Sequence, residues 1–290
     1  MLVRLLGKNY LDIDRMVHIM SLNGFDISNY QKGIQLGYLN FDFVIIKATQ
    51  GINYVSPSFE TQIQQAFNLN KLIGVYHYIS HTDYKAEATF FLNKIQKYLG
   101  RVLICVDWEA DMNASWGNGA YITNFLNFIY NSTGIKPVLY MSKSVCRESY
   151  WNSYKSIPET YDTWLAQYPN YDIVTAYNPK PWTDNKGYGM FKNPIIFQYA
   201  SKGQLPGYSG FLDLDICYLT KDEWTRRCKK QATGSKNTYT VTANTLNIRE
   251  GSSSSTKDIG DLKKGSVITV DKIENGFAHF EGWCSVKYLE

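Results

Sequence analysis

Asp107 and Glu109 stand two residues apart at the end of the apolar run LICVDWE (103–109). Strand side chains alternate with a period of two, so both carboxyls face one side and Trp108 faces the other. Each carboxyl disfavours ionisation of its neighbour, and apolar surroundings raise both pKa values further. Such a pair suits acid/base chemistry near neutral pH. A strand that merely ends in polar loop residues has the same spacing, so the other carboxyls must discriminate. Asp26 lies near the end of GFDI (24–27), and Asp213 and Asp215 stand two apart in FLDLDIC (211–217). Acids that converge from three strands suit glycoside hydrolysis. One protonated carboxyl donates to the leaving oxygen, and a carboxylate stabilises the oxocarbenium-like transition state or positions a nucleophile.

Whether they converge depends on the elements that carry them. Five apolar runs come first: GFDI (24–27), DFVIIKA (42–48), LIGVYHYI (72–79), VLICVDWE (102–109) and PVLYMS (137–142). Helical patterns start near Ser56-Pro57 and cover about 84–98, 118–132 and 143–151. Apolar strands alternating with amphipathic helices predict a parallel sheet covered by helices. After residue 160 the rhythm changes. TWLAQY (163–168), PIIFQYA (194–200) and FLDLDIC (211–217) read as three strands joined by loops, because 169–193 is broken by Pro and Gly and 201–210 is too short for a crossover helix. The expected fold is an α/β, TIM-like barrel of eight strands, with helices after only the first five and a closing helix over 221–228. In such a barrel the ends of strands one, four and eight surround one mouth.

Composition narrows the class. The 290 residues are 44% hydrophobic and 19% charged, enough for one large domain and a small one. No run reaches the length of a transmembrane helix, so no membrane insertion is expected. The N-terminal apolar patch is too short for a secretory signal, which predicts cytoplasmic accumulation and release by another route. The net charge of +4 lies in the first 230 residues, since 231–290 hold 7 Lys/Arg and 7 Asp/Glu. Without a Lys/Arg stripe, nucleic acid is not an expected partner. The five cysteines (105, 146, 217, 228, 284) are odd in number and scattered, which predicts buried thiols. His18, His77, His81 and His279 lack ligand spacing, so no metal or other cofactor is expected, and His77 reads as a hydrogen-bonded rim or core residue. Tyr and Trp are abundant, with 23 and 7 residues, and such rings line carbohydrate clefts as well as cores.

At the ends of the chain, residues 1–20 fit nothing downstream and read as an extension, either a packed helix or dispensable. The segment 21–228 carries the barrel, and KKQATGSKNT (229–238) is a polar linker. From 239 to 290 short alternating runs separated by Gly, Ser and Asn turns predict a small all-β domain.

These residues carry a resemblance. GFDISNYQ (24–31), FVIIKATQG (43–51), IGVYHYI (73–79), CVDWE (105–109), KPVLYMS (136–142), TWLAQY (163–168), IFQYAS (196–201) and LDLD (212–215) resemble, in order and one motif per strand, the glycoside hydrolase family 25 muramidases, the Chalaropsis-type lysozymes common among phage endolysins. The resemblance covers about residues 22–220. It implies a (β/α)5(β)3 barrel and cleavage of the β-1,4 bond between N-acetylmuramic acid and N-acetylglucosamine in peptidoglycan. It implies Glu109 as general acid, Asp107 as the paired carboxylate, and Asp26 and Asp213 as further acids of the site. Asp215 stands where the family often has Asn; Asp213 is the expected site residue. A chitinase pattern needs an acid two residues before Asp107, where this chain has Cys105. Lys47, Tyr76, Tyr78, Tyr140, Trp164, Gln167, Gln198 and Tyr199 sit in the other strand motifs and are expected at the sugar subsites. Residues 239–290 resemble a bacterial SH3 domain of the kind that holds lytic enzymes on the wall through peptide or glycan, with Tyr239, Phe277, Trp283 and Tyr288 as groove candidates. Two rival readings stay open: a non-catalytic wall-binding barrel, and another wall glycosidase such as a glucosaminidase.

Overall fold

Each apolar run becomes a strand whose alternate residues enter two separate apolar layers. The computed structural model describes residues 21–230, 237–270, 272–274, 276–280 and 283–289. The extension 1–20 and most of the expected linker lie outside the described residues. The chain divides into two compact units, Met1–Lys230 and Gln231–Glu290.

The first unit holds strands β1 (Leu22–Ile27), β2 (Phe43–Gln50), β3 (Tyr54–Val55), β4 (Leu72–Tyr78), β5 (Leu103–Asp107), β6 (Val138–Ser142), β7 (Thr163–Ala166), β8 (Ile196–Gly203) and β9 (Leu212–Cys217). Eight of them close a barrel in the order β1-β9-β8-β7-β6-β5-β4-β2, with β2 returning to β1 and β3 a short hairpin on β2. The strands β1 to β8 of this barrel pair in parallel, whereas β9 runs antiparallel to both of its neighbours. The eight residues between β8 and β9 are too few for a crossover, which takes a dozen or more, so the chain turns straight back. The parallel order expected of the first strands therefore ends at β8.

The β5 alternation shows both layers. Leu103 and Cys105 point into the barrel, while Ile104, Val106 and Trp108 join the layer between sheet and helices. That outer layer is covered by α1 (Phe59–Asn68), α2 (Tyr84–Ile95) and α3 (Gly119–Thr133). Phe59, Ile63 and Ala66 on α1, and Ile122, Phe125, Leu126 and Ile129 on α3, recur at helical spacing and are buried. Asp83 caps α2 through Lys85 N and Ala86 N, and Asn118 caps α3 through Tyr121 N. Gly134 ends α3 at φ +72°, where a side chain would be strained.

Two expected helices change form. Only short 3-10 turns, Asn29–Gln31 and Leu36–Tyr38, follow β1. The segment expected as helix 143–151 is split into the 3-10 turns Lys143–Arg147 and Ser149–Ser153, followed by the five-residue α4 (Ser156–Thr160). The last helix, α5 (Lys221–Cys228), closes one end of the barrel. Its Trp224 is 5.1 Å from Phe43 ring to ring and joins Leu103, Cys105 and Cys217 in the inner cluster. The Thr220–Glu223 capping box starts this helix. The opposite end stays open.

The long connection from β7 to β8 is tied down at three points. The Lys143 ammonium is buried and donates to Thr183 Oγ1 at 2.6 Å, to Asp184 Oδ1 at 2.6 Å and to Asp184 O at 2.7 Å. Gln167 and Tyr199 hold the same connection from the sheet.

The second unit pairs β10 (Asn237–Thr240) with β13 (Val267–Val270), and gathers β11 (Thr245–Arg249), β12 (Asp258–Lys263), β14 (Lys272–Glu274), β15 (Phe277–His279) and β16 (Trp283–Ser285) in a second sheet. Val241, Leu246, Ile268, Val270, Ala278 and Cys284 form its core. It is a small all-β unit. Tyr239 packs against this core, Phe277 is half-buried, Tyr288 is exposed, and the Trp283 side chain lies outside the described residues. All five cysteines are free and buried.

Candidate active site

Pairing between neighbouring strands sets which carboxyls share a layer. Asp26 is the Cα partner of Asp213, and Gly24 that of Asp215. Opposed residues in an antiparallel pair share a face and lie about 4.5–5.5 Å apart. Asp107 is the partner of Tyr78 on one side and Tyr140 on the other. The inward residues of these pairs open on a cavity of about 290 Å³ at the free end of the barrel. Asp26, Asp107, Glu109 and Asp213 all line it, with Lys47, Tyr76, Tyr78, Tyr140, Trp164 and Gln198. Four carboxyls from three strands thus meet in one cavity.

Asp215 does not line it. It sits one pair deeper, fully buried, with Oδ1 accepting from Trp164 Nε1 at 2.8 Å. Gly24 makes room at this level: a Cβ there would come within 2.4 Å of the Phe43 carbonyl oxygen. Gln198 ties Asp26 to two tyrosine hydroxyls. Its Nε2 donates to Asp26 Oδ2, and its Oε1 accepts from Tyr140 Oη at 2.8 Å and from Tyr168 Oη.

Glu109 lies beyond the end of β5, so loop contacts aim it. Asn113 Nδ2 donates to the Glu109 carbonyl at 2.9 Å, and Ser115 Oγ donates to the His81 carbonyl at 2.7 Å. Tyr78 Oη donates to the Asp111 carbonyl. Trp108, between the two acids, turns outward and donates Nε1 to Tyr150 Oη at 3.1 Å.

Two of the expected subsite residues point elsewhere. Gln167 falls between the inward Ala166 and Tyr168 and so faces out. Its amide holds the Asp184 carboxylate at 2.9 Å and accepts from Thr183 Oγ1. Tyr199 follows the inward Gln198, is buried on the outer face, and accepts from Asn178 N at 3.1 Å. Conversely, Tyr168, Ser28, Tyr30 and Gln31 line the cavity without having been expected there. Tyr168 was legible as the next inward residue after Trp164 and Ala166. Ser28 and Gln31 form a capping box readable as S-x-x-Q. Gln31 Nε2 reaches the Phe211 carbonyl at 3.1 Å and joins the loops beside Asp26 and Asp213. Tyr30 is 95% exposed at the rim.

Burial dominates the electrostatics. It raises Asp107 well above the ordinary carboxyl range, with Glu109 adding to the rise and Lys47 opposing it. Burial also raises Glu109; the Tyr140 hydroxyl and Lys47 counter this and Asp111 reinforces it. The pair therefore holds a proton at pH values where two solvated carboxyls would both be charged. Asp26 is raised well above its ordinary value by burial, then by Asp213 and Asp215. Asp213 is raised to about 7 by burial and then by Glu109. Lys47 is lowered by burial while Asp107 and Glu109 hold it up.

A raised carboxyl binds its proton more tightly in the folded state, so its contribution to stability is present below its unfolded pKa and lost as pH rises through its folded one. The melting temperature is expected to fall between about pH 4 and 7. Asp213→Asn should flatten that slope in part and raise the melting temperature near pH 7–8, measured calorimetrically across this range. An unchanged slope would show that Asp213 is charged in the folded protein.

His77 is fully buried on the helix side of β4, against Phe91 and Phe125, and does not reach the cavity. Among the described residues no group of His, Cys, Asp and Glu is arranged to hold a metal ion.

With this geometry in view, the glycosyl hydrolases family 25 model matches residues 25–208. The autolytic lysozyme of Clostridium acetobutylicum is 25% identical over 202 residues, which are 67% of this chain and 55% of that protein, so the chain spans about half of that relative's length. The N,O-diacetylmuramidase of Chalaropsis is 30% identical over 151 residues, 46% of this chain and 69% of that protein. Among solved structures, the Streptomyces coelicolor lysozyme superposes with a TM-score of 0.57 at 20% identity, covering 71% of this chain and 96% of that one. The catalytic domain of endolysin ply40, from a Listeria phage, gives 0.54 at 21%, covering 73% and 98%. At these identities the superpositions establish the fold of the barrel.

Proposed function

The chain belongs to glycosyl hydrolases family 25, and from that premise we propose that it is an N-acetylmuramidase that hydrolyses the β-1,4 bond between N-acetylmuramic acid and N-acetylglucosamine in peptidoglycan. The observation that carries this is the open cavity in which four carboxyls with raised proton affinity stand among neutral hydroxyl and amide donors. Glu109 is the proton donor to the leaving oxygen. It is half-buried, and a sugar laid over it would strip its remaining water and draw the shared proton onto it. Asp107, deeper in the pair, balances the positive charge that develops at the anomeric carbon, either by attack or by orienting the 2-acetamido group. Asp26, held by Gln198, and Asp213 complete the acidic wall. Tyr76, Tyr78, Tyr140 and Trp164 offer ring faces, and Lys47 offers a cation, to the bound glycan.

Mass spectrometry of peptidoglycan digested by the protein tests bond and reaction together. New reducing ends on muramic acid are expected. Ends on glucosamine would make it a glucosaminidase, and intact walls would leave a non-catalytic barrel.

For the second unit we infer wall binding. Its support is the resemblance of 239–290 to bacterial SH3 domains and its separation as a compact all-β unit. Binding there would raise the local concentration of the barrel at a substrate that does not diffuse. An inactive full chain should sediment with purified walls, while the same chain ending at Lys230 should stay in the supernatant; equal sedimentation would remove the assignment.

A further inference from the structure

The β2 strand carries an irregularity behind the acid pair. Its register on β4 runs Lys47↔Tyr76 and then Thr49↔His77, so Ala48 is an extra residue with no partner on β4, its carbonyl accepting instead from Ser56 N at 2.9 Å. Without this bulge Thr49 would face the cavity and Gln50 the helices, since faces alternate strictly. With it, Ala48 and Thr49 both pack outward, fully buried, and Gln50 returns to the inner face as partner of Tyr78. There Gln50 Oε1 accepts from Lys47 Nζ at 2.8 Å. Residues three apart on a strand cannot otherwise meet.

The outer side of the bulge is fastened by a buried polar chain. Thr49 Oγ1 lies 2.8 Å from His77 Nδ1. His77 Nε2 lies 3.3 Å from Glu87 Oε1, an electrostatic contact rather than an aligned hydrogen bond. Glu87 also accepts from Ser80 N, His81 N and Tyr121 Oη. A carboxylate beside Nε2 selects the tautomer with its proton there, which leaves Nδ1 to accept from the Thr49 hydroxyl. Thr49, His77 and Glu87 are all buried, so this chain has no water to replace its members.

We propose that Thr49 and His77 are positioning residues: their hydrogen bond holds the β2 bulge that turns Gln50 inward and so fixes the Lys47 ammonium in the cavity that Asp107 and Glu109 line. This rests on the muramidase reading above. Lys47 Nζ also lies over the Tyr78 ring at 4.6 Å and over the Tyr54 and Tyr76 rings at 5.9 Å, so the groups that face it are those three tyrosines, Gln50 and the two acids. A cation at this place favours the charged form of both carboxyls. Loosening it moves both limbs of the pH–rate profile to higher pH.

The test is the pH profile of wall lysis for the full chain and three variants. Thr49→Val keeps the branched shape and removes the hydroxyl; Thr49→Ser restores the hydroxyl; Gln50→Met removes the acceptor for Lys47 and leaves the buried chain intact. Thr49→Val and Gln50→Met are expected to shift both limbs upward by about half a pH unit, and Thr49→Ser to keep the parent profile. If Thr49→Val fails to fold, Thr49→Cys, which keeps a small outward side chain but only a weak donor for His77, takes its place and is expected to shift both limbs upward, unshifted limbs again overturning the inference. Unshifted limbs in Gln50→Met, or in a folded Thr49→Val that has only lost stability, would overturn the inference. A parent protein without wall lysis would instead overturn the reading beneath it.

Discussion

Glu109→Gln is expected to lower the rate of wall hydrolysis by about 10²–10⁴-fold, the range associated with removing a positioned general acid. That corresponds to about 3–5.5 kcal/mol of activation free energy at about 1.4 kcal/mol per decade. The amide keeps the shape of the side chain and its packing, but it has no proton to give. The bonds that aim the residue run to its backbone, from Asn113, and survive the change. The melting temperature should hold or rise, because a carboxyl whose burial raises its pKa is replaced by a neutral group. Binding to walls should persist, so turnover falls while substrate affinity stays. Unchanged lysis by the variant would remove Glu109 from the mechanism and would favour the non-catalytic barrel.

Asp107→Asn is the second large effect, with a different signature. A fall of about 10²–10³-fold in turnover is expected, since electrostatic stabilisation of a transition state is commonly worth about 3–4 kcal/mol. The pH profile should also move. Glu109 raises Asp107, and in such a pair the last proton is held by the neighbouring anion, so with a neutral amide at 107 the remaining carboxyl, Glu109, keeps that proton less tightly. Glu109 then loses its proton at lower pH, and the alkaline limb shifts toward acid. This direction is opposite to that expected when Lys47 is loosened, which separates loss of a neighbouring anion from loss of a neighbouring cation. A variant with reduced turnover but an unmoved alkaline limb would show that the two acids do not share a proton.

The two predictions depend on different depths in one cavity. Asp107 is enclosed by the Tyr78 and Tyr140 strand partners, and Glu109 stands past the strand on a loop tied by Asn113, Ser115 and Tyr78. In the proposed mechanism a deep, buried acid and a shallower one that substrate can cover make a graded pair, which lets one proton serve both states of the cycle.

Much of this was written in local pattern. Strand periodicity by itself turned Asp107 inward and Trp108 outward, and helical spacing marked the faces of α1 and α3. The Asp-x-Glu pair and the eight apolar runs needed no long-range information, because each follows from the alternation of side chains over a few residues. The same rule would have found Tyr168 and rejected Gln167 and Tyr199, had it been applied one residue further along β7 and β8.

What local pattern could not decide was where distant strands meet and in which direction. Asp213 is at the start of its strand, and in an all-parallel barrel it would lie at the closed end, far from Asp26. The short turn between β8 and β9 reverses the last strand, places Asp213 opposite Asp26, and buries Asp215 one pair deeper beneath Trp164. The bulge at Ala48 is likewise invisible in FVIIKATQG, since it is fixed by a hydrogen bond between Thr49 and a histidine on another strand. The sequence alone determined which acids pair along one strand, because that spacing is covalent. Only the tertiary structure decided which acids stand opposite each other on neighbouring strands, because that depends on strand direction and register, which are set by contacts between residues far apart in the chain.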